Sequence, residues 1–202
     1  NTSQFINERY FYMAQLTMEK AKALIEKNVT EAHLLTHALA VSSAMGAMAG
    51  HFGEDKEHWE AIGFLHDVDY EKYPEEHLAH TRELLDGQNI DETDIRAILA
   101  HGYGLCSDVK PETPMEKSLF TVDELTGIVQ AASLMRPSGI SDLEVSSLKK
   151  KFKDKRFAAK CDRTVIENGC EMLGMELADV MQLVISGMRE HMDELGIGPK
   201  AV

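Results

Sequence analysis

The sequence predicts an all-α protein, and three observations support that prediction. Apolar residues recur at intervals of three or four positions over most of the chain, which is the spacing of one helix face. Helix-start signals precede several of these stretches. The clearest is Thr113-Pro114-Met115-Glu116, in which a Thr cap, a Pro at the first helical position and a Glu complete a capping box. The alternation of apolar and polar residues that is typical of strands is nearly absent.

Length and composition are those of a globular protein. The 202 residues can enclose one sizeable core, and 44% hydrophobic with 27% charged residues is an ordinary balance. Neither internal repeats nor low-complexity linkers interrupt the chain. We therefore expect one helical domain over residues 1–202, with a core at about 30–135 and a C-terminal helical extension at about 140–195.

Three helices are predicted in the first third of the chain. Residues 7–27 carry helix formers with an apolar face, and the next helix runs from a cap at Thr30 to about residue 51. This second helix is rich in Ala and Met, so we expect it to pack closely against its neighbours. Asp55 precedes a third helix, which ends at about His66.

The remaining elements follow from the same kinds of signal. Residues 69–76 and 102–113 read as loops because they contain Pro and Gly. Further helices are predicted at about residues 77–85, at 91–101 with Asp91 as the cap, at 114–136, after a second capping box at Ser141-Asp142-Leu143-Glu144, at 162–173 and at 176–194.

A histidine and an aspartate, His66 and Asp67, stand side by side at the end of an apolar run that starts at Trp59. Two adjacent ionisable groups entering a core cost several kcal/mol unless they are paired or bound to a metal. Imidazole plus carboxylate is a ligand combination that suits Fe, Mn, Zn or Co. A His-Asp dipeptide is common by chance, so the interpretation depends on other residues.

Periodicity supplies those residues. His37 lies in a row with Leu34 and Val41, which places an imidazole in an apolar stripe. Asp123 lies in a similar row, and Asp is almost never fully buried unless it is paired. His101 closes a short helix. A lone histidine on an apolar face is more often a hydrogen-bonded core residue, but these residues together with the His-Asp pair indicate a metal site.

The combination of His37, His66-Asp67 and Asp123 resembles the HD-domain superfamily of metal-dependent phosphohydrolases. The sequence is also similar to a small bacterial group of HDIG-type hydrolases, through the stretches FLHDVDYEKYP, IRAILAHGYG, MEKSLFTVDELTGIV and LKKKFKDKRFAA. The resemblance implies an HD-domain-like helical bundle in which these four side chains hold one metal, usually Mn, Fe, Co, Ni, Zn or Mg.

The resemblance also bears on a second metal. Some members hold a second ion with two further histidines between the His-Asp pair and the final Asp, and His77, His80 and His101 lie in that interval. His77 fits the family position better, with His80 as the alternative, and His101 is the more convincing partner. A solvated helix start explains His77 and His80 equally simply. The expected cofactor is one or two divalent ions: Fe, Mn, Co, Ni or Zn, with Mg also compatible.

One family pattern is missing. The dinuclear cyclic-dinucleotide phosphodiesterases of the superfamily have a Gly-Lys after the His-Asp pair and a Gly-Tyr-Pro signature. This chain has Asp69 and Tyr70 after the pair and only Gly102-Tyr103-Gly104 later. We therefore do not expect cleavage of cyclic dinucleotides. Asp67 is the leading catalytic candidate, as a ligand that also orients water, and Asp69 is a second candidate for general base or phosphate contact.

Basic residues are candidates for phosphate binding in a chain of net charge -13. A cluster between residues 149 and 156 lies in one of the family-like stretches, although a solvated helix face is the simpler explanation for such lysines. The candidates are Lys72, Arg136, Lys150, Lys151 and Lys153.

These residues predict a metal-dependent phosphohydrolase that acts on a nucleotide or a small phosphorylated metabolite. Two alternatives remain open. One is a di-iron oxygenase, because a branch of the same superfamily uses a similar set of six ligands. The other is a non-catalytic nucleotide-binding regulatory module, which would bind a ligand without turnover.

Charge and hydropathy limit the partners and the location. A pI near 5.1 argues against binding to nucleic acid polymers or anionic membranes. The polar start of the chain, the absence of a long apolar run and three cysteines without a CxxC pattern predict a cytoplasmic protein with reduced thiols. Methionines at helical spacing between residues 172 and 192 fit either a core or the interface of a homodimer.

Overall fold

A computed structural model describes residues 15–200, and the fold of this part is all-α, as the sequence predicts. It contains no β-sheet within those residues. Its elements are α1 (Met18–Asn28), α2 (Ala32–Phe52), α3 (Lys56–Leu65), a short 3-10 helix (Pro74–Glu76), α4 (Thr81–Leu85), α5 (Glu92–Ala100), α6 (Pro114–Leu134), α7 (Val145–Lys153), α8 (Arg163–Leu173) and α9 (Leu177–Glu190).

Two helices of 21 residues, α2 and α6, form the centre of the fold. They pack against each other, and the other helices cover them: α3 and α9 lie on α2, α5 and α8 lie on α6, and α1 covers α3. The Ala and Met residues predicted to favour close packing of α2 are buried. The C-terminal helices therefore pack directly against the two helices that carry His37 and Asp123.

Glycine allows α3 to approach α2 closely. A Cβ atom at Gly63 would lie 2.9 Å from the Ser42 Cα and 3.0 Å from the Met45 Cγ, both in α2. Contacts this short are not found between real carbon atoms, so a side chain at this position would push the two helices apart. Because His66 follows Gly63 by one turn, this contact also fixes the distance of the His-Asp pair from α2.

The N-terminal predictions need correction. Residues 1–14, which include much of the predicted helix at 7–27, lie outside the described residues, and α1 begins at Met18 with Thr17 as its cap.

The predicted cap of α2 is also wrong, because Thr30 does not cap this helix. Its hydroxyl donates a hydrogen bond to Glu71 (2.7 Å), and Glu71 also accepts the main-chain N–H groups of Thr30 and Glu31. A carboxylate from the loop after the His-Asp pair thus replaces the local cap.

The predicted helix at 77–85 is wrong over its first half. The chain after Pro74–Glu76 turns sharply, Leu78 has φ 68°, and α4 starts only at Thr81. Left-handed backbone is unfavourable for leucine. Here it places the Leu78 side chain in the core, where only 4% of it is exposed. As a result, His77 and His80 do not share a helix face.

The predicted caps differ in outcome. The Asp91 carboxylate accepts the Thr93 N–H, and the reciprocal capping box of Thr113 and Glu116 is present. The second predicted capping box is wrong, because α7 begins at Val145 without a side-chain cap. In that segment the Asp142 carboxylate instead accepts hydrogen bonds from Arg136 and Ser138.

The methionines of the last helix belong to the interior of this chain. Met181 and Met188 are fully buried in the core. These two residues belong to the core, whereas Met172, Met175 and Met192 are only partly buried, and the homodimer stays a prediction. Within residues 15–200, no helix combines the length and the hydropathy that crossing a membrane requires.

Replacing Gly63 by Ala should destabilise the protein by about 1–3 kcal/mol, because the added Cβ overpacks the contact between α3 and α2. The measurement is urea-induced unfolding followed by circular dichroism. Gly50→Ala in α2 is the matched control: nothing lies within 4 Å of its Cβ position, so it should stabilise the helix by about 0.5–1 kcal/mol. Equal effects of the two substitutions would contradict the close approach.

Candidate metal centre

Five segments of the chain bring four histidines and two aspartates together. His37 comes from the first turns of α2 and Asp123 from the middle of α6; His66 and Asp67 follow the last turn of α3. His101 follows α5, and His77 follows the 3-10 helix. We call this group the His-Asp cluster; its members are His37, His66, Asp67, His77, His101 and Asp123.

Asp67 lies at the middle of the cluster. Its Oδ2 atom is 3.3 Å from Nε2 of His66 and 3.6 Å from Nε2 of His37. Its Oδ1 atom is 3.3 Å from Nε2 of His77 and 3.5 Å from Nε2 of His101. The two oxygens of one carboxylate therefore face two separate pairs of histidines.

Asp123 completes the first of these two groups. Its Oδ1 atom is 2.9 Å from Nε2 of His37 and 3.4 Å from Nε2 of His66. The ligand atoms of His37, His66 and Asp123 all lie within 4.8 Å of one another, and so do those of His66, Asp67 and His101. Such sets of imidazole nitrogens and carboxylate oxygens suit divalent transition metals.

The far sides of three rings are fixed by hydrogen bonds. Nδ1 of His66 lies 2.7 Å from the Gly63 carbonyl, and Nδ1 of His101 lies 2.6 Å from the Ile98 carbonyl. Nδ1 of His77 lies 2.8 Å from Oδ1 of Asp69. Since carbonyl and carboxylate oxygens only accept, each Nδ1 carries the proton, and the neutral ring then presents the Nε2 lone pair to the cluster. This is the usual arrangement around histidines that bind a metal.

The cluster contains a buried nitrogen that a cation would satisfy. Nε2 of His66 is buried and has no hydrogen-bond partner, although the Asp67 and Asp123 oxygens lie 3.3 and 3.4 Å away. Nε2 of His77 and Nε2 of His101 form a hydrogen bond of 3.2 Å, which requires a proton on one of them. Buried polar atoms without partners are rare in native proteins and require an explanation. The donor set therefore fits a divalent metal ion.

Without a metal, protons must hold the cluster together. Burial opposes a charge on His66, but the charge of Asp67 and a contact with Asp123 outweigh it and hold the His66 pKa well above its ordinary value. Burial also opposes the Asp67 and Asp123 charges, yet the surrounding imidazoles keep both carboxyl pKa values well below the ordinary range. For His77, Asp67 and Asp69 overcome burial and raise the pKa to about 9. A metal ion would replace these protons.

The cluster opens into a cavity of about 480 Å³. Five of the six cluster residues line it, whereas His66 lies behind them and is completely buried. The other lining residues come from both halves of the chain and include His33, Leu34, Tyr70, Leu105, Cys106, Glu124, Gly127, Lys160, Cys161 and Val165. The volume is within the range of about 300–1,000 Å³ that is typical of small-molecule sites.

Comparison with known proteins identifies the family. Residues 34–126 match the sequence model of the HD domain. The chain contains an HD domain. No curated protein and no solved structure matches the chain significantly. HD domains bind divalent metals and define a superfamily of metal-dependent hydrolases. All six residues of the His-Asp cluster lie within the matched segment.

Asp69 lies behind the cavity of the HD domain instead of facing it. Its side chain is completely buried, Oδ1 faces Nδ1 of His77, and Oδ2 accepts the Thr81 hydroxyl at 3.1 Å. Because both oxygens are occupied, the predicted role of Asp69 as a base or phosphate contact does not agree with its position. It orients His77 instead.

His80 lies outside the His-Asp cluster. Its ring stacks on Tyr73 with 3.8 Å between the ring centroids, and its nitrogens contact the Glu76 and Glu83 carboxylates. The turn at Leu78 sends His77 inward and His80 towards the surface. Of the two histidines between which the sequence did not decide, the HD domain brings His77 to the cluster.

The five basic residues predicted to bind phosphate do not line the cavity, whose lining comes from other residues. Lys72 donates to Asn28 Oδ1 at 2.6 Å, and Arg136 pairs with Asp142 at 2.7 Å. The side chain of Lys151 lies over the Phe157 ring. Lys150 and Lys153 are exposed on α7, which agrees with the simpler interpretation of a solvated helix face.

Glu124 and Lys160 line the cavity, but the sequence did not identify them. Glu124 directly follows Asp123, a predicted metal ligand, and this position in the sequence was the signal that could have identified it. Burial, with the neighbouring charge of Asp123, raises its pKa to about 7, and its Oε2 accepts the Asp162 N–H at 2.9 Å. Lys160 lies outside the HD match, in the connection between α7 and α8, where no sequence signal pointed to the cavity.

Replacing Asp69 by Asn should weaken metal binding about 10-fold or more, because His77 loses the charged partner that orients its ring and increases its basicity. Mn²⁺ binding measured by electron paramagnetic resonance would show the change. Asp142→Asn is the matched control, since Asp142 is an exposed carboxylate paired with Arg136. Equal affinities in the two variants would contradict the positioning role.

Stability of the metal-free protein should depend on pH through His77. Its folded-state pKa of about 9 lies above the ordinary value of 6.5, so its stabilising contribution is complete below pH 6.5 and is lost as the pH rises through 9. Urea unfolding of chelator-treated protein at pH 6.5 and pH 9 measures this loss. The loss should be smaller in His77→Asn. An identical loss in both proteins would show that other groups cause it.

Proposed function

We propose that this protein is a metal-dependent phosphohydrolase that acts on a nucleotide or a small phosphorylated metabolite. The supporting observation is the position of Asp67, whose two oxygens face different histidine pairs at the floor of the cavity. One carboxylate between two sets of nitrogens would be able to take part in holding an ion with either set. Membership of a superfamily of metal-dependent hydrolases is consistent with the proposal.

The residues would hold one or two divalent ions. His37, His66, Asp67 and Asp123 would bind the first, and Asp67, His77 and His101 would bind the second. Ions bound there supply Lewis-acid polarisation of a phosphoryl oxygen and lower the pKa of a coordinated water. The donor set, which is rich in histidine, favours Fe, Mn, Co, Ni or Zn over Mg.

The chain contributes orientation and shape. The Gly63 and Ile98 carbonyls and the Asp69 carboxylate hold three imidazole rings so that their Nε2 atoms point towards the same place. Around the opening, Tyr70 and Leu105 expose 40% and 68% of their surface, which gives the cavity an apolar edge beside its ionic floor. A substrate with a phosphate at one end and a less polar body would match this division.

The test of the proposed function is phosphate release by the metal-reconstituted protein from a panel of nucleotides and sugar phosphates. Asp67→Asn should lower kcat/KM by about 1,000-fold or more, because it would remove a charged metal ligand and with it several kcal/mol of charge stabilisation. Elemental analysis should show a loss of bound metal at the same time. Asp142→Asn should retain both activity and metal.

Failure of the wild-type protein to release phosphate from any member of the panel, with metal fully bound, would overturn the proposal. Ligand-dependent thermal stabilisation without turnover would then favour a regulatory nucleotide-binding module.

The arrangement of the ligands also favours a second candidate, a di-iron oxygenase. Six ligand groups divided by a shared carboxylate suit two irons as well as two hydrolytic metals. Two measurements distinguish the candidates: an oxygenase requires iron specifically and consumes O₂ with its substrate, whereas a phosphohydrolase works under argon and accepts several divalent metals.

A further inference from the structure

Residues 154–161 lie in the connection between α7 and α8, outside the HD match, and two of them, Lys160 and Cys161, line the cavity. The Arg163 guanidinium holds this connection together from inside. It donates to the main-chain carbonyls of Ala158 at 2.5 Å, Cys161 at 2.8 Å and Phe157. Two longer contacts of 3.4 Å reach the carbonyls of Phe152 and Asp154. Four of these five carbonyls belong to the connection and the fifth to the last turn of α7, so one side chain fixes a segment that has no regular structure.

The same segment is attached to α6 beside the His-Asp cluster. The Asp162 N–H donates to Glu124, the residue after Asp123. Cys161 approaches α6 so closely that a Cβ atom at Gly127, one turn beyond Asp123, would lie 2.7 Å from its Sγ. Because the connection is anchored internally by Arg163 and externally by α6, its position relative to the cluster is defined.

This connection brings Lys160 to the cavity. Among the residues that the structure describes, Lys160 is the only lysine or arginine in the cavity lining. Lys160 is exposed, and the carboxylates of Asp67, Asp123 and Glu124 line the same cavity. An anion entering such an acidic site needs a compensating positive charge besides any metal, because like charges repel strongly where water is partly excluded.

We infer that Lys160 binds a phosphate oxygen of the substrate and that Arg163 positions it by holding residues 154–161 against the cavity. The inference rests on the proposed phosphohydrolase function and extends it: the HD domain supplies the metal ligands, and the connection between α7 and α8 supplies a cationic substrate contact. The substrate is therefore an anion that reaches from the His-Asp cluster to this connection.

Substitution of Lys160 tests the inference. In the metal-loaded protein, Lys160→Gln should raise KM for p-nitrophenyl phosphate, or for the best substrate of the panel, by about 10-fold with little change in kcat. It should weaken binding of inorganic phosphate, measured by calorimetry, by a similar factor. Lys160→Arg should retain most of the wild-type affinity for phosphate. Lys155→Gln is the matched control, because Lys155 is an exposed lysine of the same connection outside the cavity lining.

A second variant tests the positioning role. Arg163→Lys keeps the charge, but its donors sit on one nitrogen and cannot reach the separate carbonyls that the three guanidinium nitrogens contact. It should raise KM as Lys160→Gln does. It should also speed trypsin cleavage within residues 154–161, which Lys160→Gln should not do. If Arg163→Lys speeds trypsin cleavage but leaves KM unchanged, Arg163 has no role in positioning Lys160 for substrate binding.

The outcomes separate this inference from the proposed function. An active enzyme whose KM and phosphate affinity are the same in the wild type, Lys160→Gln and Lys155→Gln would overturn the role of Lys160 and leave the phosphohydrolase standing. If the metal-loaded wild type hydrolyses no phosphoester, the proposed function fails. Calorimetry with inorganic phosphate would still show whether Lys160 binds the anion, and equal affinities would reject that role.

Discussion

The structure depends on the desolvation of one carboxylate, Asp67, among four imidazole rings. A charge buried at this point is unfavourable unless positive charge surrounds it. Protons on the histidines can supply that charge, and so can a metal ion. Nε2 of His66, buried beside Asp67, has no hydrogen-bond partner. The geometry of the cluster is therefore better matched to a cation than to a set of salt bridges.

The surrounding fold holds that geometry with main-chain groups. Two of the three Nδ1 partners are carbonyls at helix ends, on Gly63 and Ile98. Carbonyls near the end of a helix have spare acceptor capacity: the Ile98 carbonyl accepts both the main-chain N–H and the ring Nδ1–H of His101. The histidines just after α3 and α5 are therefore oriented by hydrogen bonds to the carbonyls at the ends of the same helices. These bonds also help to cap the two helices.

Helical spacing was enough to predict the all-α fold and to place His37 and Asp123 in apolar rows, because both lie on long regular helices.

Predictions from local spacing were wrong where contacts between distant residues determine the conformation. Burial of Leu78 turned the chain between His77 and His80, and Glu71 took over the cap expected from Thr30. The sequence predicts Asp69 as a base or phosphate contact, and no local pattern reveals its partner Thr81, which is twelve residues away. No periodic pattern connects Lys160 with a cavity formed by α2 and α6.

The division of the site between two parts of the chain has a physical basis. Metal ligation requires rigid placement of six side chains, and residues on or beside packed helices provide it. Substrate contact needs less rigidity but a specific charge at a specific wall. A connection without regular structure is free to vary in sequence, while Arg163 and Glu124 keep this one in place. Under the proposed function, Lys160 would contribute to anion binding without disturbing the packing that holds the His-Asp cluster.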